Sequence, residues 1–190
     1  MRPVLVLDMD ETLMHAEHMD DGSITVLHRP GLKAFLESVA RLYNLVLYTA
    51  GTRRYATAVM GVIDPGGLFQ LHLYREHCVV RENGTYAKDL HQIPGIDVER
   101  TIAVDDIPEN YCDTQPDNVV RIAPFMDNPR DRELERLTPM LEQFAFMKLP
   151  VVVFFSQRKV CAQCGRNLNL SAFFDSLETI CMACQFPVMM

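Results

Sequence analysis

Two pairs of carboxylates and one lysine are the groups best able to do chemistry in this chain of 190 residues. Asp8 and Asp10 follow the apolar run Val4–Leu7, and Asp105 with Asp106 follows the apolar residues 102–104. Thr49 ends a third such run, residues 45–48. Open α/β sheets bind ligands beyond the carboxyl ends of their strands, so these ends would gather four carboxylates and a hydroxyl in one crevice. A cluster of that kind repels itself unless a hard cation sits in it, and its oxygen donors suit Mg²⁺. Lys88, in Tyr86-Ala87-Lys88-Asp89-Leu90, would supply the positive charge that a phosphoryl group needs. The plain alternative at any one of these positions is a solvated turn. A calcium loop starting at Asp8 fails, because Leu13 stands where such a loop needs Gly and Met19 where it needs Glu. A receiver domain of a signalling relay is disfavoured by order: its adjacent acidic pair comes first along the chain, and here it comes last.

A second constellation lies near the end of the chain. Cys161-Ala-Gln-Cys164 and Cys181-Met-Ala-Cys184 form the pattern C-x₂-C-x₁₆-C-x₂-C. Two turns of this kind can present four thiolates to a tetrahedral Zn²⁺, and a closed site of four cysteines is structural, with no open position for catalysis. Two disulfides are the competing arrangement. Leu168, Leu170, Phe173, Phe174, Leu177 and Ile180 lie between the pairs and offer no base-reading surface. A small fold stapled by metal, packing on its neighbour or recruiting a partner, is expected there.

The elements that must position these groups follow from periodicity. Val4–Leu7, 45–48 and 101–104 read as buried parallel strands, and 118–122 as a fourth. Leu32, Phe35, Leu36, Val39 and Leu42 have helical spacing after Pro30; 53–62 suits a second helix, and 130–147 a third with Leu134, Leu137, Leu141 and Phe144 on one face. Residues 68–87 alternate loosely and contain Asn83-Gly84, a hairpin signal. The order predicts an α/β layer fold with a mostly parallel sheet. Residues 1–150 would form the catalytic domain and 151–190 the zinc module.

Composition bounds the rest. The chain is 48% hydrophobic with 18 Lys+Arg against 25 Asp+Glu, net charge −7, which argues against a broad basic surface for direct nucleic-acid binding. The first apolar run stops at Asp8, so no secretory signal is read. The longest apolar stretch, 149–155, is far short of the ~20 residues a membrane helix needs. A soluble, intracellular and reducing setting is expected, nuclear or cytoplasmic, and there clustered cysteines bind metal. The six histidines, His15, His18, His28, His72, His77 and His91, have no ligand spacing; His15 and His18 stand near the acidic loop.

Leu7-Asp8-Met9-Asp10-Glu11-Thr12-Leu13 resembles the signature of the haloacid dehalogenase superfamily. More narrowly, the chain is similar to phosphatases of the RNA polymerase II C-terminal domain and their NLI-interacting-factor relatives, short versions of which occur in large DNA viruses. The resemblance runs over about residues 3–147 and includes Tyr48-Thr49-Ala50, Tyr55, Arg75-Glu76-His77-Cys78-Val79, Lys88-Asp89-Leu90 and Val104-Asp105-Asp106-Ile107-Pro108. It implies a three-layer Rossmannoid fold and a Mg²⁺-dependent phosphoserine/phosphothreonine phosphatase. By the same resemblance Asp8 is the nucleophile that forms an aspartyl-phosphate, and Asp10 is the general acid and then the base. The two acids then need different environments, one beside the cation and one able to hold a proton. Thr12 fixes the loop between them, and Thr49 and Lys88 bind phosphoryl oxygens. Asp8, the Asp10 carbonyl and Asp106 hold Mg²⁺, with Asp105 beside them. Tyr55 and Arg75 meet the peptide around the phosphoserine.

This sequence departs from that family in two places. Relatives often carry Asp-Asn where Asp105-Asp106 stands, a change the superfamily accepts. The three-stranded insertion that builds an apolar proline pocket is reduced to residues 14–29, with Asp20-Asp21-Gly22 as a turn, which leaves room for one hairpin. No large cap is present, so an open site for a protein or peptide is expected. The polymerase tail is one such substrate, though its recognition depends on the shortened insertion. A phosphopeptide-binding module recruited through the zinc finger, and a small-molecule phosphatase, are the alternatives. The intact acidic set and the missing cap count against them.

Overall fold

In the computed structural model of the chain, residues 2–20, 23–112, 115–156, 158–160 and 167–169 are described. Cys161, Cys164, Cys181 and Cys184, and the zinc site expected on them, lie outside the described residues.

The strand β1 (Val4–Leu7) leads into a hairpin of β2 (Met14–His18) and β3 (Ile24–His28), the single hairpin expected after Asp8. Then come α1 (Leu32–Val39), β4 (Asn44–Tyr48), α2 (Arg53–Ile63) and β5 (Phe69–Leu73). The short pair β6 (Val79–Val80) and β7 (Tyr86–Ala87) follows, then β8 (Thr101–Asp105), β9 (Val119–Arg121), α3 (Glu133–Met147) and α4 (Val151–Ser156). Beyond these, Arg158–Val160 and Asn167–Asn169 pair antiparallel.

The central sheet has order β5-β4-β1-β8-β9, with every neighbouring pair parallel. Its middle strands are largely apolar, with polar residues confined to their ends, because both faces are covered. Leu5, Leu7, Leu45, Leu47, Ile102 and Val104 pack on one face with α1, α2 and α3, while Val6, Val46, Tyr48 and Ala103 pack on the other with Leu90, Ile93 and Tyr111. That second layer contains 3₁₀ turns, Leu90–Gln92 and Val98–Arg100, and no α-helix among the described residues. Right-handed crossovers explain the division. The chain winds from β1 through β4 to β5 with helices on one side, then returns to β8 along the opposite face.

The expected helices and four strands form with bounds shifted by a few residues. The exception is the segment 68–87. Its first part is β5, a fifth parallel strand, and only its end is the hairpin β6–β7. Helix α4 seats Val151 and Phe154 in the same core as α3, with the Phe144 and Phe154 rings edge-to-face at 5.1 Å. No helix among the described residues is long and apolar enough to cross a membrane.

Candidate active site

The strand order reverses direction between β1 and β8, so the carboxyl ends of those two strands form the crevice where such sheets bind ligands. The Asp8 amide donates to the Val104 carbonyl at 3.0 Å, which continues the ladder to the crevice itself. Asp8 and Asp105 are buried there, and Asp106 stands beside them half-buried. Lys88 reaches the same point from the other side of the sheet, on a segment paired with residues 110–112 through its own amide and carbonyl. Its Nζ donates to Asp8 Oδ1 and to Asp105 Oδ2, both at 2.5 Å, and stands 5.5 Å from the centre of the Tyr111 ring.

One ammonium at 1% exposure thus faces three carboxylates. Burial alone would drive its proton off, but Asp8 and the other anionic neighbours outweigh burial and hold the ammonium charged. The carboxylates bear the remaining excess. Asp105 is pushed up by burial first and by Asp8 second, with Lys88 pulling the other way, and Asp106 is raised by burial and by Asp8. Asp8, Asp105 and Asp106 each offer an oxygen within 4.8 Å of the others. An all-oxygen, over-negative set of this size fits a hard divalent cation such as Mg²⁺.

Asp10 occupies a different setting. It lies on the tight turn after β1, with Tyr55 Oη donating to its Oδ1 at 2.5 Å and Thr49 Oγ1 within 3.4 Å of its Oδ2. Burial is the largest influence on it. Together with the charges of Asp8 and Glu11, burial outweighs the two hydroxyls and raises its pKa to about 6. Tyr55 is carried by the first turn of α2, whose N-cap Thr52 accepts from the Tyr55 amide. Gly51 eases this approach: a Cβ there would crowd Thr49 Oγ1 and the Tyr55 ring, at 3.1 Å from each. Thr49 Oγ1 also accepts from the Gly51 amide at 2.9 Å. Thr12 is fully buried with its Oγ1 3.5 Å from Asp106 Oδ1, and Ile107 N–H donates to Asp105 Oδ1.

The sequence-predicted residues Asp8, Asp10, Thr12, Thr49, Lys88, Asp105 and Asp106 therefore share one crevice. Tyr55 joins them through Asp10. Arg75 stands at the rim, where its Nε donates to the Ala50 carbonyl and its guanidinium lies 5.1 Å from the centre of the Tyr86 ring. His15 contacts Glu11 at 3.0 Å, the His77 ring accepts from the Tyr74 amide, and the His91 ring contacts Asp89 and Gln115. Sequence reasoning missed Arg29, which lies beneath the Asp10 turn. The signal available was a lone arginine just before Pro30, with nothing in its spacing to tie it to the acids.

Several known phosphatases are similar to this chain. The Homo sapiens carboxy-terminal domain RNA polymerase II polypeptide A small phosphatase 1 is 36% identical over 156 residues, 74% of this chain and 59% of that protein. Phosphatase Herzog of Drosophila melanogaster is 34% identical over 159 residues, 76% of this chain and 44% of its own length. The chain thus spans about half the length of these relatives. Among solved structures, Fcp1, described as an essential RNA polymerase II CTD phosphatase, shares the fold with a TM-score of 0.64 at 21% identity, covering 77% of this chain and 63% of that one. The profile of the NLI interacting factor-like phosphatases matches residues 3–151, and the chain belongs to that family.

Proposed function

We propose that the protein is a Mg²⁺-dependent phosphoprotein phosphatase acting on phosphoserine or phosphothreonine through a phosphorylated Asp8. The observation that carries this is the contrast between two neighbouring acids: Asp8 paired with Lys88 in the buried floor, and Asp10 raised to about 6 with Tyr55 on its carboxyl. One acid is set to attack, the other to hold a proton near neutral pH.

Asp8 attacks phosphorus and becomes the aspartyl-phosphate while the serine oxygen leaves with the proton from Asp10. Asp10 then takes a proton from the water that attacks the acyl-phosphate, releasing phosphate and restoring Asp8. Lys88 and Thr49 hold the phosphoryl oxygens as negative charge builds on them. Asp8, Asp106 and the Asp10 carbonyl would hold Mg²⁺, with Asp105 fixing Lys88. Bound there, the cation supplies charge neutralisation to the transferring phosphoryl group.

A peptide substrate is favoured by an open site and by a groove of about 490 Å³ running from Tyr55 between β3 and α2. Ile24, Val26, Val59 and Val62 line it and suit an apolar residue next to the phosphoserine. The polymerase tail named in the relatives' descriptions is a candidate for that peptide. The spacing of Cys161, Cys164, Cys181 and Cys184 supports a structural Zn²⁺ module. Residues 1–150 remain the catalytic unit in this proposal, with α4 packed on it and the module beginning after Ser156.

Hydrolysis of an aryl phosphate and then of phosphopeptides, with and without Mg²⁺, tests the activity. No release above an Asp8→Asn control would refute it. One zinc per purified chain is expected from the tail, and a folded tail without zinc would refute that part.

A further inference from the structure

Arg29 directly follows β3 with its side chain wholly enclosed, and all five of its guanidinium hydrogens have acceptors. Nε and Nη2 grip the two oxygens of Asp131 at 2.8 Å each, and Nη2 also donates to the Ala123 carbonyl at 2.6 Å. Nη1 donates to the Thr12 carbonyl at 3.0 Å and to the Glu11 carbonyl at 3.3 Å. No donor is left over for substrate, so this arginine acts on the protein itself.

Its targets are the two peptides that follow Asp10. Glu11 has φ 55, a left-handed conformation that is strained for a residue with a side chain. The Glu11 carbonyl is held a second time by the Phe125 amide at 2.7 Å, and the Arg29 guanidinium lies 5.6 Å from the centre of the Phe125 ring. Asp131 is fixed in turn by the Glu133 amide at the start of α3. Burial works against the charge on Asp131, yet Arg29 holds that carboxyl below its usual range. The turn that carries Asp10 is thus clamped, on the side of its backbone carbonyls, to the exit of β9 and the start of α3. Asp10 itself meets Tyr55 and Thr49.

We propose that Arg29 is the positioning residue of the general acid, holding the Glu11 turn so that Asp10 stays on the leaving oxygen. This rests on the role given to Asp10 above. Arg29→Lys keeps the cation but cannot serve the five acceptor oxygens in their fork geometry. The readout is kcat/KM, which reports the phosphorylation half-reaction, for phenyl phosphate and 4-nitrophenyl phosphate. These two are nearly the same size, and only phenolate depends strongly on a proton from Asp10. The expected result is a loss for phenyl phosphate about tenfold greater than for 4-nitrophenyl phosphate, within the range that general acids contribute. Asp10→Asn should show the same skew, and adding Arg29→Lys to it should cost little more, because both act through one group.

Equal losses on the two substrates, or full additivity with Asp10→Asn, would overturn the proposal. If Asp10→Asn itself showed no skew, the role of Asp10 would fall first and Arg29's with it. If Arg29→Lys does not fold, Asp131→Asn, checked by circular dichroism, carries the same test: a smaller skew of the same sign supports the proposal, and none overturns it.

Discussion

The floor of the crevice and its lip are built by different means. In the floor, Asp8, Lys88 and Asp105 are nearly inaccessible, and adjacent strands of the sheet or their direct continuations carry the two acids. Its contacts are charge pairs, and the three carboxylates could hold a cation. At the lip, Asp10, Tyr55 and Arg75 ride on a turn, on the first turn of a helix and on a 3₁₀ segment. There the contacts are hydroxyls and carbonyls, and exposure is greater. Under the proposed mechanism the sheet would fix where phosphorus is attacked, and the loops would govern protons and substrate choice. The two should therefore fail separately.

The largest break is in the floor. Asp8→Asn should lower turnover on the order of 10⁴-fold or more, as loss of a nucleophile does, while far-ultraviolet circular dichroism stays that of the parent. Lys88→Met, next in size, leaves Asp8 and Asp105 buried without their counter-ion. It should cost about 3–5 kcal/mol of unfolding free energy in chelator, measured by urea titration, and Mg²⁺ should recover more stability in this variant than in the parent.

At the lip the effects are smaller and concern protons and affinity. Asp10 must be protonated to act as the acid, so kcat/KM on an alkyl phosphate should fall as pH rises through the Asp10 pKa, near 6. The Tyr55 hydroxyl lowers that pKa. Tyr55→Phe should therefore move the descending limb to higher pH, by roughly half a unit to one unit. A limb that stays put or moves to lower pH would separate Tyr55 from the acid. Smallest of all, Arg75→Ala should raise KM for a phosphopeptide about fivefold more than for an aryl phosphate, the scale of one exposed contact.

Much of the floor was legible in the sequence, and the reason is local. Residues 4–8, 45–49 and 102–106 each combine an unbroken apolar run with a polar stop, so the strand and its end are read together. Strand β5 was not legible because it lies at the sheet edge, where Gln70 and His72 interrupt the apolar pattern. The lip was only half legible. Tyr55 was marked by resemblance as a peptide contact, whereas its bond to Asp10 spans 45 positions. Arg29 was invisible for the same cause: its partners Ala123 and Asp131 are 94 and 102 residues away, and no pattern of spacing encodes such contacts. The cysteine tail is the reverse case, a local motif read from spacing alone.

The division of labour between Asp8 and Asp10 is tested most directly by rapid mixing of the Asp10→Asn variant with 4-nitrophenyl phosphate and Mg²⁺. Nitrophenolate needs little help to leave, but hydrolysis of the aspartyl-phosphate needs the base. The predicted result is a burst of one nitrophenolate per chain, then slow turnover, with a phosphoryl group on Asp8 by mass spectrometry. Turnover without a burst and without phosphate on Asp8 would contradict it.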